Sequence, residues 1–163
     1  MSAHRTLSAR SIEGSTADRT AGWVLRVLVA ACLVVDAVVH LQLASGYGQA
    51  TAPGHVSEGL LFRAESVTAL LVALLVLVLG NRIAFGVAFV VAASAFVVVV
   101  LYRYVNVPAL GPIPSMYEPL WFAKKSVTAV AEGLGAVLAA IGFLMVGRQE
   151  RAVSDQPAGG SDI

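Results

Sequence analysis

Residues 61–80 read LFRAESVTALLVALLVLVLG, and beyond Glu65 no charged side chain appears until Arg82. Water cannot solvate such a run along its length. At a rise of about 1.5 Å per residue, roughly twenty residues cross a hydrocarbon core of about 30 Å, and a helix pairs its backbone groups within the segment. Working outward, three further runs have the same character, which places spans at about 23–44, 60–80, 83–102 and 124–146. The whole chain agrees. It is 58% hydrophobic and 13% charged, whereas a soluble domain carries about a quarter charged residues. The predicted fold is therefore all-α: a four-transmembrane-helix bundle over residues 22–147, between polar tails at 1–21 and 148–163 that read as disordered and cytoplasmic.

The opening stretch is also half of a repeat. Seven of the thirteen positions from 58 to 70 are identical to those from 118 to 130, including the Glu-x-Leu-x-Phe lead and the Ser-Val-Thr-Ala core. An offset of 60 makes spans one and two one helical hairpin and spans three and four a second. Each hairpin crosses the membrane an even number of times, so the repeat is parallel, about an axis along the membrane normal. Its conspicuous change puts Lys125 where Glu65 stands. Equivalent positions near such an axis face each other, so Glu65 and Lys125 are expected to pair, directly or through Asp36 or Glu132.

Basic residues set the orientation. Arg5, Arg10, Arg19 and Arg26, then Arg82, then Arg148 and Arg151 all fall on one side, while the connections 45–59 and 104–123 hold no Lys or Arg. The positive-inside rule puts both termini in the cytoplasm of a plasma-membrane protein. Arg63, Arg103, Lys124 and Lys125 lie at the outer helix ends, where long stems can snorkel to the headgroups. The first span holds Asp36 and His40, and no small-x-small cleavage site follows it, so it reads as retained rather than as a signal peptide. The second outer connection carries Pro108, Pro112, Pro114 and Pro119, four of the six prolines, and is expected to form an ordered cap.

Ionisable residues inside spans are costly and mark sites or polar networks. Here they gather in the outer halves: Asp36 and His40 one turn apart in span one, Glu65 in span two, Tyr102 and Arg103 ending span three, and Lys125, Thr128 and Glu132 on one face of span four. The inner halves are nearly free of charge. This predicts an apolar plug on the cytoplasmic side and a polar chamber opening outward, with these eight residues as the ligand-binding or proton-handling set. The plain alternative is a buried network that fixes helix register. Ser66, Thr68, Ser126 and Thr128 are expected to donate hydrogen bonds between helices, and Ala84, Ala88, Ala92, Ala131, Gly135 and Ala139 to form small-residue packing faces. Tyr47, Tyr102, Tyr104, Tyr117 and Trp121 read as an interfacial belt, with a stacking platform as the sharper alternative.

Other chemistries have less support. Asp36-x3-His40 could supply two metal ligands, with Glu65, Glu132 or His55 completing the set, but a hydrogen bond between them accounts for the pattern with nothing added. Structural zinc would need thiolates, and the chain has one cysteine, Cys32, which reads as a buried apolar side chain. Bis-His haem would need a second helical histidine, whereas His4 lies in a tail and His55 in a loop. No nucleotide motif or nucleophile elbow is present, so catalysis has little to stand on. A net charge of +1 gives no reason to expect nucleic acid.

A four-span bundle with Arg26 early in span one, His40 near that span's outer end and Glu65 opening span two resembles the DoxX-like family of bacterial membrane proteins. His40 is followed by Leu41 and Gln42, where that family's pattern has a glycine. The segment PSMYEPLWF, 114–122, resembles part of another bacterial membrane family. The DoxX-like resemblance implies association with membrane oxidoreductase assemblies and, in some relatives, quinone chemistry. The expected function is then a ligand-binding or accessory subunit in the bacterial plasma membrane, with the bilayer and another membrane or extracytoplasmic protein, or a second copy, as partners. The alternatives are a small ion- or proton-coupled transporter and an outward-facing metal-dependent enzyme.

Overall fold

Ser57 opens the helix that contains the repeated stretch. Its side chain accepts from the Leu60 N–H at 3.2 Å, and α2 runs Glu58–Leu79 with Glu58 placed favourably in the first turn. Gly80 ends it in the left-handed conformation, φ 52° and ψ 24°, which an L side chain would strain. Asn81 immediately caps α3, Arg82–Tyr104, with Oδ1 accepting from the Ala84 N–H at 2.9 Å. Two residues thus reverse the chain. The computed structural model describes residues 3–47, 56–111, 113–115 and 117–154, with side chains from Arg19 onward.

Two more helices complete the fold, α1 (Ala3–Ala44) and α4 (Ala123–Ser154). Both extend beyond their apolar cores. The stretch read as an N-terminal tail is helical from Ala3, and α4 continues seven residues past Gly147 into the stretch read as the C-terminal tail. Neither extension contains a proline, and a helix nucleated by its span can propagate into such sequence. All four helices are long and apolar enough to cross a membrane, over Arg19–Ala44, Glu58–Leu79, Arg82–Tyr104 and Ala123–Ala152. Leu71, Leu74, Val78, Val90, Val137 and Leu144 are each more than half exposed, which suits a lipid surround and not water.

The core is built for close approach. Val29, Ala30, Leu33 and Ala37 of α1 meet Ala69, Ala73 and Val76 of α2, Ala84, Ala88 and Ala92 of α3, and Ala136 and Ala139 of α4, with the buried Phe85 as the one large ring. The expected small-residue faces are buried, Ala131 and Gly135 included. Cys32 is only half-buried.

Around the ring, α1 packs along α2 and α4, and α3 packs along α4, while α2 and α3 touch much less. The tight turn therefore makes α2 and α3 neighbours in sequence without making them close partners. Every buried residue of α3 lies at or before Ala92. Beyond it none of this helix's residues is buried, at the end away from the turn. In the connection after α3, the backbone pair Leu110–Ile113, at 3.0 and 3.1 Å, and the Ser115 hydroxyl donating to the Val107 carbonyl at 2.9 Å hold the chain in its own ordered turn.

Candidate functional site

Asp36 is the hub. It is 2% exposed, and its Oδ1 accepts from the Thr128 hydroxyl at 2.5 Å and lies 2.9 Å from His40 Nδ1. One helical turn brings His40 back over Asp36, whose main-chain carbonyl also lies 3.1 Å from Nδ1. This settles the edge of the ring that faces Asp36 and turns the other edge away. Thr128 has one proton, so its 3.5 Å approach to Glu132 Oε1 is secondary to the bond to Asp36. Glu132 is equally buried and its carboxyl group lies against that of Asp36; no donor of another residue type reaches its Oε2, and none reaches Oε1 of Glu65.

Beside this cluster lies a cavity of about 510 Å³. His40, Glu65, Tyr102, Lys125, Thr128 and Glu132 all line it, together with apolar walls from Leu61, Phe62, Val98, Val99 and Phe122. Of the eight residues picked from sequence, six therefore share one chamber. Asp36 stands behind the wall and reaches it through His40 and Thr128. Arg103 is not among the lining residues: its guanidinium lies 5.1 Å from the Tyr104 ring centre.

The expected Glu65–Lys125 pair does not form. Lys125 Nζ instead donates to the Glu118 main-chain carbonyl at 2.6 Å. The reason is register. Glu58 and Glu118 are repeat partners, yet α2 starts at Glu58 and α4 only at Ala123. The residues from Glu118 to Phe122 therefore lie outside any helix, and the Glu118 carbonyl among them takes the Lys125 ammonium. The paired hydroxyls also behave differently from expectation. Ser66 reaches across to the Ala37 carbonyl at 3.0 Å and Thr128 reaches Asp36, but Thr68 bonds only to Ala64 of its own helix and Ser126 is exposed. Positions two apart on a helix point roughly 200° apart, so only one of each pair can face inward.

Residues outside the predicted set close the loop end. The Tyr47 hydroxyl donates to Glu118 Oε1 at 2.6 Å across 71 residues of sequence, and burial, reinforced by that carboxylate, holds the phenol above its ordinary range, as a donor. The Tyr47 carbonyl accepts from the Gly59 N–H, and the Tyr102 carbonyl from the Glu118 N–H, both at 3.1 Å. The only hint in sequence was Glu118 itself, conspicuous as the repeat partner of Glu58. Tyr47→Phe is expected to cost about 1–2 kcal/mol in a denaturant titration of the protein in mixed micelles. An unchanged midpoint would mean that the tie holds nothing.

Asp36, His40 and Glu132 each bring a donor atom within 4.8 Å of the others, the grouping a metal ion would need. As they stand, Asp36 already accepts from His40 and Thr128, the hydrogen-bonded arrangement that competes with ligation. His55 lies outside the described residues. At the opposite end a smaller cavity of about 220 Å³ is lined by Arg19, Trp23, Arg26 and Gly80, with Arg26 stacked 5.2 Å from the Trp23 ring centre. Between the two cavities lies the apolar core. No family model, curated protein or solved structure matches the chain.

Proposed function

We propose that the chamber at the loop end binds a small amphipathic ligand, and that the protein serves as a ligand-holding or accessory subunit of a larger assembly in a bacterial plasma membrane. The observation that carries this is the pairing of a drug-sized, apolar-walled cavity with two partnerless carboxylate oxygens, Glu65 Oε1 and Glu132 Oε2. A buried acceptor left unmatched costs about 1–3 kcal/mol, and a bound donor recovers that loss. The basic-residue asymmetry supports cytoplasmic termini, which turns the chamber to the far side. The tight packing of α1 on α2 and α3 on α4 supports two hairpins, although the equivalent pairs Ser66/Ser126 and Thr68/Thr128 face opposite ways. The DoxX-like resemblance makes quinone-type rings, in the reduced form whose hydroxyls can donate, the first ligands to seek.

Extraction into lipid nanodiscs without detergent, followed by mass spectrometry of what the protein releases, tests the reading. One molecule per chain, enriched over bulk lipid and lost in Val99→Trp, is expected. Release matching bulk lipid in composition would end it. The spacing of Asp36, His40 and Glu132 favours one second reading, a divalent metal site facing the chamber. Elemental analysis should then find about one Zn, Mn or Fe per chain, absent from Glu132→Gln. Transport across the membrane is disfavoured by the apolar core that closes the half of the bundle near the termini.

A further inference from the structure

We propose that the chamber is loaded from inside the lipid layer, through the gap between α2 and α3, by a single-tailed amphiphile whose head donates hydrogen bonds. This rests on the reading of the chamber as a ligand site and adds the route and the class of occupant.

The route follows from where the lining of the chamber is also exposed. Above the chamber, Tyr47, Glu118 and Lys125 tie the ends of the helices together through bonds of 2.6 Å, joined by the Gly59–Tyr47 and Glu118–Tyr102 main-chain bonds, and Tyr117 is the one described lining residue at that end that is exposed. Below it, Val72, Ala73, Val76, Phe85 and Ala88 are packed and buried. Three of the four seams between neighbouring helices are closely packed; the fourth, α2 against α3, is not. On that fourth seam Ala64 and Thr68 of α2 and Ser94 and Val98 of α3 line the chamber and are also exposed on the outside. A residue that faces both the chamber and the surroundings is a rim.

The depth of the rim decides what it opens to. Thr68 is ten residues below the start of α2 at Glu58, and Ser94 ten residues below the end of α3 at Tyr104. Both therefore lie about 15 Å from the loop end of their helices, near the middle of a hydrocarbon layer about 30 Å thick. An opening there meets acyl chains, not water or headgroups. An alkyl tail can stay in the gap while the head reaches inward. The head must suit the polar end of the chamber, where the unmatched atoms, Glu65 Oε1 and Glu132 Oε2, are carboxylate oxygens. Lys125 is engaged by the Glu118 carbonyl. Hydroxyl or amine heads supply the missing donors, whereas a phosphate would bring a further anion towards Asp36, Glu65 and Glu132.

The test uses the full chain in nanodiscs with three photoreactive probes that share one diazirine-bearing alkyl chain and end in a hydroxyl, an ammonium or a phosphate. Labelled peptides are mapped by mass spectrometry. The hydroxyl or ammonium probe is expected to label the Phe62 and Val98 regions at least fivefold more than the phosphate probe, and excess unlabelled long-chain alcohol or amine should suppress that labelling. Ser94→Trp and, independently, Thr68→Trp should cut chamber labelling at least fivefold and leave labelling of the outer surface at Val137 and Leu144 unchanged, which also reports that the variants are folded. If the short, water-soluble form of the head enters wild type and both variants equally well, the lateral route is overturned while the ligand-site reading stands. Equal labelling by all three probes overturns the assigned head chemistry. If no probe and no short head reaches the chamber, both readings fall.

Discussion

Gly142→Ala is expected to destabilise the bundle by about 1–3 kcal/mol, and Gly142→Leu to leave little folded protein. Gly142 is buried on α4, and a Cβ built there overlaps Cδ1, Cε1 and Cγ of the Phe85 ring. Phe85 is 2% exposed, and it lines the smaller cavity together with Gly142, so that cavity is the space the ring could turn into. The clash must push α4 from α3 or force the ring off its rotamer. Unfolding in mixed micelles, followed by circular dichroism, reads the cost directly. Gly22→Ala is the control, since a Cβ there meets nothing within 4 Å. Phe85→Leu in the Gly142→Ala background should return part of the loss, because the two changes act on one contact. A Gly142→Ala protein as stable as wild type would show that α3 and α4 are further apart than described.

The second large effect is at Asp36. Asp36→Ala removes the acceptor of Thr128 and the partner of His40 together, in a place where water cannot replace it. Two orphaned groups of this kind would cost about 2–6 kcal/mol in a soluble core, but interhelical hydrogen bonds in membranes average nearer 0.6 kcal/mol. Two further terms reduce the figure: Thr128 can turn to Glu132 Oε1, 3.5 Å away, and one anion leaves a cluster that also holds Glu65 and Glu132. The expected net loss is therefore about 1–3 kcal/mol, with Asp36→Asn costing less because its Oδ1 can still accept. Asp36→Ala and Thr128→Val should be less than additive when combined. Simple additivity would mean that the 2.5 Å bond carries no coupling.

Much of the candidate site was legible before the fold, and the reason is energetic. A carboxylate or imidazole inside a span is expensive enough that its place in the sequence already marks an inward face. His40, Glu65, Thr128 and Glu132, marked in this way, line the chamber. Arg103, marked by the same logic, is not among the lining residues; it lies at a helix end, where a long side chain can choose between the chamber and the interface. The Glu65–Lys125 pairing failed because a repeat in sequence does not carry the helix start with it. The five residues from Glu118 to Phe122 lie outside any helix, where their partners form the first turn of α2.

By itself the sequence determined the number of spans, their lengths and the level at which polar groups gather, because each depends only on the transfer of local segments out of water. The tertiary structure alone decided that Tyr47 ties to Glu118, that Lys125 turns up to a carbonyl instead of across to Glu65, and that α3 packs far less against α2 than against α4. The first joins residues 71 apart in the chain, the second spans seven residues and depends on where α4 starts, and the third is a relation between whole helices. They follow from which small residues allow two backbones to approach and where each helix happens to start, and no single segment contains that information. LFRAESVTAL could show that a polar wall exists, and only packing could show that its helix meets α1 closely and α3 much less.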